Sequence, residues 1–235
     1  MLCFHLLAAV TLVTALATPI KEIHEFADME IAIESLSDKS PIETASKEYV
    51  FMVNGKLIGI SNFTMEKLHP EKKRSIGSKA LVGASWIQFR VNDSGVLWSE
   101  WMPTTCPQTN YRLAPAVYPM PLTWYYSATW ESGFNFNLAL RKALEIGYSC
   151  TDEIRDSAEG KYLVPALGVG QLFRKQMLVW QDHQFRKCRK TNQGIACETW
   201  SADVRGNLPV KNAQSFGWRV GRKNMDWNHC RGKMW

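Results

Sequence analysis

Short runs rich in β-branched and aromatic residues recur through the last two thirds of the chain, with Gly, Pro, Asn or Asp between them. Each run has the length and composition of a strand, and the residues between runs are typical of turns. Such strands must bury one face against another layer, so we expect a mainly β fold, either a small antiparallel β-barrel or a sandwich. The runs are residues 85–91, 96–102, 122–130, 172–180, 195–204 and 215–221.

One helical pattern interrupts these runs. Phe136, Leu140 and Leu144 recur at the spacing of one helix face. Asn135 precedes them as an N-cap, and Gly147 follows them as a stop signal. The pattern predicts one well-formed helix over residues 135–147.

The first residues predict a secretory signal peptide over residues 1–18. Residues 6–17 form an apolar run interrupted only by threonines, and small residues precede a cut near Ala17 or Thr18. No later run reaches the roughly 18 apolar residues of a membrane span. We therefore expect a secreted, extracellular protein without a membrane span. The expected glycosylation sites are the two Asn-X-Ser/Thr sequons at Asn62 and Asn92.

The charge of the chain changes at the basic triplet 72–74. Residues 19–74 hold 8 Lys+Arg and 10 Asp+Glu, whereas residues 75–235 hold 20 and 12 and also all ten tryptophans. This shift predicts a kexin-type cut after Lys73-Arg74, which would separate an acidic pro-domain, residues 19–74, from a mature β-rich domain, residues 75–235. The alternative is a solvated charged turn.

The acidic segment carries two local signals of its own. Residues 48–61 place Asn54-Gly55 between two β-prone runs, which is typical of a two-residue hairpin. Residues 22–36 loosely follow helical spacing. With few large apolar residues, this segment makes a weak independent core.

The cysteines are odd in number once Cys3 is assigned to the signal peptide. In an oxidising compartment at most two bridges form and one thiol is left over. Cys188 and Cys197 flank a turn-prone loop, so we expect a bridge at the base of a hairpin. The second bridge lies among Cys106, Cys150 and Cys230.

A dense positive cluster lies next to this loop. It is either a charged turn that keeps a strand edge soluble or a surface that attracts an acidic partner. The tryptophans are mostly core residues in our interpretation, with stacking platforms for sugars as the alternative. The residues of the cluster, a candidate binding patch, are Arg186, Lys187, Arg189 and Lys190.

Enzymatic chemistry finds little support in the sequence. No C-x-x-C or H-x-x-x-H spacing predicts a metal site, no cofactor motif is present, and no serine hydrolase signature occurs. A secreted ribonuclease remains the runner-up, because Glu100, His183, His229 and Arg186 supply a general base, an acid and a phosphate clamp. Their separations in sequence match no motif, so we expect a binding protein rather than an enzyme. We do not expect nucleic acid as its partner.

The whole layout resembles the kexin-processed secreted effectors of plant-pathogenic fungi, and within them the Tox-three type of necrotrophic effector. The resemblance rests on the layout and on local sequences. These are 146-IGYSC-150, 177-MLVWQDHQFRKC-188, 199-TW-200, 207-NLPVKN-212 and 216-FGW-218.

This resemblance implies a disulfide-stabilised β-barrel without enzymatic activity, a virulence factor released from its pro-domain. It also implies cell death in plants that carry a matching sensitivity locus, and binding to host proteins of the pathogenesis-related class. The odd number of cysteines departs from the fully paired set expected of the family. A killer-type toxin against competing microbes shares the same processing logic and stays open as an alternative.

Overall fold

The computed structural model describes residues 23–37, 48–65, 83–130 and 134–230, and these residues form a mainly β protein, as predicted. The expected signal peptide and the Lys73-Arg74 cut lie outside the described residues. The strands are β1 (Glu25–Phe26), β2 (Tyr49–Val53), β3 (Lys56–Met65), β4 (Ala84–Trp98), β5 (Met102–Pro103), β6 (Gln108–Thr109), β7 (Ala116–Ser127), β8 (Glu153–Val164), β9 (Val169–Thr191), β10 (Gly194–Cys197) and β11 (Val204–Val220). The helices are α1 (Met29–Ser37), α2 (Phe136–Glu145) and a 3-10 turn (Arg222–Asn224).

The 23-residue strand β9 is the centre of the main sheet. Its partners β4 and β11 both pair with residues 178–183, so they occupy opposite edges of β9. β5 and β6 continue the edge of β4, and β10 continues the edge of β11. Beyond β4 the sheet continues through β3 and β2 to the short parallel strand β1.

We expected either a small barrel or a sandwich, and the described strands form an open sheet rather than a closed barrel. The order of pairing runs from β1 to β10 without returning to its start, and β7 and β8 form a separate two-stranded sheet. The second sheet packs Met120 and Trp124 onto Leu172 of β9. α2 covers the same main sheet with Ala139 and Ala143. Apolar faces are therefore buried by added layers and not by closure.

The predicted hairpin and helix form where their local signals place them. Asn54 and Gly55 have φ angles of 50° and 68°, and Val53 pairs with Lys56 across this two-residue turn. At α2, the side chain of Asn135 accepts a hydrogen bond from the Leu138 N–H at 2.9 Å. The second predicted helix is shorter than expected, because residues 25–26 form β1 and α1 begins only at residue 29.

The acidic segment shares its buried core with the segment that follows it. Its helix α1 and its hairpin pack against Trp86 and the cysteine pair Cys188 and Cys197 of the following segment. β3 also pairs with β4, so the two segments share one sheet as well as one core. The strands that follow therefore complete the core of a segment that we expected to be weakly cored.

Candidate functional site

The predicted basic cluster lies in the last part of β9. Successive side chains of a strand point to opposite faces, so the four residues do not form one patch. Arg186 and Lys190 lie on one face of the sheet, and Lys187 and Arg189 lie, exposed, on the other. The charge that looks continuous in sequence is thus divided between two surfaces.

On the Arg186 face, two arginines stack on one tryptophan. The guanidinium carbons of Arg90 and Arg186 lie 4.2 and 4.3 Å from the ring centroid of Trp200. The two carbons are therefore no farther apart than the sum of these distances, 8.5 Å. We call these three residues the arginine–tryptophan site.

Neutral amides hold both guanidinium groups in place. Arg90 donates from its Nε and Nη2 to Oε1 of Gln184, at 2.9 and 2.6 Å. Arg186 donates from Nε to Oε1 of Gln88 at 3.0 Å. Each glutamine lies directly across the β4–β9 pair from its arginine. The contacts orient the arginines without neutralising their charge.

The arginine–tryptophan site has an excess of positive charge. None of the ion pairs among the described residues includes Arg90 or Arg186. Burial, and after it the nearby charge of Arg90, lowers the pKa of Arg186. Two like charges held close together without a described carboxylate favour the binding of an anion.

All three residues of this site line a cleft of about 590 Å³. Residues 53–58, at the turn between β2 and β3, form one wall, and Gln88 and residues 90–92 of β4 form another. Lys56 and Lys142 add positive charge, and the single carboxylate of the lining, Glu145, pairs with Lys142 at 2.7 Å. The cleft is therefore basic as well as partly aromatic.

A neighbouring arginine on the same face differs from Arg90 and Arg186 because it has a carboxylate partner. Arg205 stacks on Trp180 at 4.1 Å, and both of its ion-pair contacts go to Asp182, at 2.7 Å each. The hydrogen bond from Arg205 is the main cause of the lowered pKa of Asp182. The charge of Arg205 is thus already balanced, whereas the charges of Arg90 and Arg186 are not.

Both sequon asparagines are exposed at irregular points of the sheet. Asn62 lies at the register shift of β3 and has a φ of 51°. Asn92 lies at the register shift of β4, where its Nδ2 donates to Oδ1 of Asp203 at 3.3 Å. Because Asn92 also lines the basic cleft, a glycan on this residue would stand at the mouth of the cleft.

Two disulfides form among the described residues. One joins Cys188 to Cys197, which face each other across β9 and β10, and the other joins Cys106 to Cys230. Cys150 is a free, buried cysteine, and burial raises the pKa of its thiol to about 12. This thiol is therefore inert at neutral pH.

The residues proposed for a ribonuclease do not come together. His183 is only 2% exposed and is packed against Trp130 and Phe134. Burial lowers its pKa to about 4. The backbone N–H of His229 bonds to Asp226, whose own backbone N–H bonds to the side chain of Gln171.

Gln171 and His183 are twelve positions apart on β9, which at about 3.3 Å per residue separates them by roughly 40 Å. Glu100 is exposed next to Ser99, whose backbone N–H bonds to the carbonyl of Gln176, seven positions from His183. No shared active site brings these side chains into contact with Arg186.

The tryptophans are less buried than expected. Of the nine in the described ranges, only Trp86 and Trp124 are buried. Others lie partly exposed under cations, as Lys175 lies over Trp98 and Trp101. These tryptophan rings therefore contact cations where we had expected apolar core side chains.

No group of three or more His, Cys, Asp or Glu side chains in residues 23–37, 48–65, 83–130 and 134–230 lies close enough to hold a metal ion. Neither helix in this part of the chain combines the length and hydrophobicity needed to cross a membrane.

Comparison with protein-family models and with curated proteins gives no match. Among solved structures, the chain is similar to the crystal structure of the parasporin-2 Bacillus thuringiensis toxin that recognizes cancer cells. The similarity covers 59% of this chain and 75% of that chain, at 11% identity and a TM-score of 0.21. A similarity of this size shows no common activity.

Proposed function

We propose that the chain is a secreted fungal effector or toxin that is cut after Lys73-Arg74 and acts by binding an acidic host plant protein. The binding surface is the arginine–tryptophan site of Arg90, Arg186 and Trp200. The observation that carries the proposal is that both guanidinium groups are fixed beside an open basic cleft, while no described carboxylate balances them.

Much of the entropic cost of binding is already met in the free protein. A free arginine on a surface must lose side-chain entropy when it binds a carboxylate. Here stacking on Trp200 and hydrogen bonds to Gln88 and Gln184 restrict both side chains before a partner arrives. Preorganised guanidinium groups bind carboxylates more tightly than mobile ones.

The resemblance to the Tox-three type effectors directs the search for the partner to plants. It supports a host protein of the pathogenesis-related class as the first candidate. The two disulfides are compatible with an oxidising, extracellular setting. The buried state of His183 and its distance from His229 argue against a nuclease as the toxic activity.

Two matched double variants test the proposal. Arg90→Gln with Arg186→Gln removes two charges from the site, and Lys187→Gln with Arg189→Gln removes two from the opposite face. Poly-glutamate serves as a defined carboxylate probe at about 0.15 M salt. We expect the first variant to bind at least about tenfold more weakly, from the loss of two charge-assisted contacts, and the control to change less than about threefold.

The biological readout is infiltration of the full-length secreted protein into leaves of diverse plant genotypes. We expect cell death in some genotypes, and we expect the site variant to lose it while the control variant retains it. Equal loss in both variants would show that net charge alone is responsible. Killing of microbes without any plant response would favour a killer-type toxin instead.

A further inference from the structure

We call residues 19–74 the leader and residues 75–235 the body. The described part of the leader already fills a docking surface along the edge of β4. On the leader side, six large apolar residues are buried against this surface, and on the body side Ala84, Trp86 and Cys188 meet them. The ring centroids of Phe63 and Trp86 are 6.2 Å apart. The leader residues are Ile33, Leu36, Phe51, Ile58, Ile60 and Phe63.

Backbone pairing and charge hold the leader in one register. β3 pairs with β4 from Gly59 opposite Phe89 to Met65 opposite Ala84, with one register shift. Between β9 and α1, Nζ of Lys190 lies 2.9 Å from Oε1 of Glu30. The contact therefore combines a strand, an apolar face and an ion pair.

None of these contacts depends on the peptide link between the two segments. Lys73-Arg74 lies between Met65, the last described residue of β3, and Gly83, the first before β4. A cut there interrupts no described strand. Both disulfides join residues of the body, and residues 19–74 contain no cysteine.

We propose that the mature protein is a two-chain complex, in which the leader remains bound to the edge of β4 after the cut as a noncovalent subunit. The proposal rests on the processing step of the proposed function. Its consequence is that residues 53–58 of the leader continue to form a wall of the basic cleft, so the acidic partner meets a site built by both chains.

The test separates the cut from the retention of the leader. One sample is the secreted full chain treated with a kexin-type protease, and the second is a variant whose residues 70–75 are replaced by a site for another sequence-specific protease. Each product is passed through a gel-filtration column in native buffer and again in guanidinium chloride. The masses of the eluted chains are measured by mass spectrometry.

We expect the leader to coelute with the body in native buffer and to separate from it in guanidinium chloride. If the kexin-type protease leaves the chain intact, the proposed processing is wrong, and the variant still decides whether the leader is retained. A leader that elutes alone in native buffer overturns the inference. So does a leader-free body that dimerises through the freed edge of β4.

A charge swap locates the bound leader on the predicted surface. Glu30→Lys should raise the dissociation rate of the cut leader by about two- to fivefold, as expected for a partly exposed ion pair. Adding Lys190→Glu should restore the original rate. A merely unfolded leader would show no such rescue, so failure of the rescue contradicts the assigned contact.

Discussion

Acid should destabilise the protein through His183. The side chain is 2% exposed, and burial against apolar and aromatic groups lowers its pKa from 6.5 to about 4. Val204 and the charge of Asp182 act in the opposite direction but do not compensate for burial. Between pH 6.5 and about 4, His183 is therefore protonated in the unfolded chain but neutral in the folded chain.

The sign and the size of this pH effect on the unfolding free energy follow from proton linkage. A folded-state pKa below the unfolded one for a histidine means that stability falls as the pH falls through this window. At about 1.4 kcal/mol per pH unit, lowering the pH from about 7.5 to about 4.5 removes about 2.5 kcal/mol of unfolding free energy. The pKa of Asp182 in the folded protein lies below its ordinary value of 3.8. The stability that Asp182 contributes is therefore lost only under more acidic conditions.

The assay is urea denaturation of the intact-disulfide protein at several pH values, for the natural chain and for His183→Gln. We expect the natural chain to lose about 2.5 kcal/mol more than the variant over this range. A direct NMR titration of His183 in the folded protein serves as the second measurement. A folded-state pKa near 6.5, or equal pH slopes in the two proteins, would refute the reasoning.

Three further predictions concern packing and reactivity. Cys150 should resist alkylation in the folded protein at neutral pH and react once urea unfolds it, because burial raises its pKa to about 12; rapid labelling of the native protein would contradict this. Gly206→Ala should cost about 1–3 kcal/mol, since its new methyl group would overlap the ring of Trp130, and an unchanged urea midpoint would speak against the close approach. Phe63→Ala should cost about 3–5 kcal/mol by opening a cavity beside Trp86, and a loss under about 1 kcal/mol would mean that the leader is not part of the core.

Features with a local cause could be predicted from the sequence. Asn54-Gly55 requires only its own backbone preference to form the hairpin turn, and Asn135 requires only a free N–H three residues later. The mainly β class follows from the composition of the runs. These signals operate within a few residues, so the rest of the chain does not need to be known.

Features that depend on strand register could not be predicted in the same way. Arg90 and Arg186 are 96 positions apart in sequence and meet only because β4 pairs with β9 in one particular register. Trp200 reaches them from the segment after β10. The division of the basic cluster, in contrast, was available from the sequence, because Arg186 and Lys187 must point to opposite faces once the segment is a strand.

The sequence predicted where the leader and the body meet along the chain, but not how they pack together. The sequence indicated a weakly folding acidic segment, and charge marked its border with the body. It did not indicate that Phe63 would pack on Trp86, because apolar composition does not say which surface a strand will cover. The border in charge is therefore not a border in the fold.

The most direct test of the binding surface is the indole N–H signal of Trp200 in a ¹⁵N spectrum, assigned with Trp200→Phe and followed as poly-glutamate is added. We expect a saturable shift of this signal that Arg90→Gln with Arg186→Gln abolishes and Lys187→Gln with Arg189→Gln preserves. An unmoved Trp200 signal under conditions where poly-glutamate binds would place the acidic partner elsewhere and contradict the account.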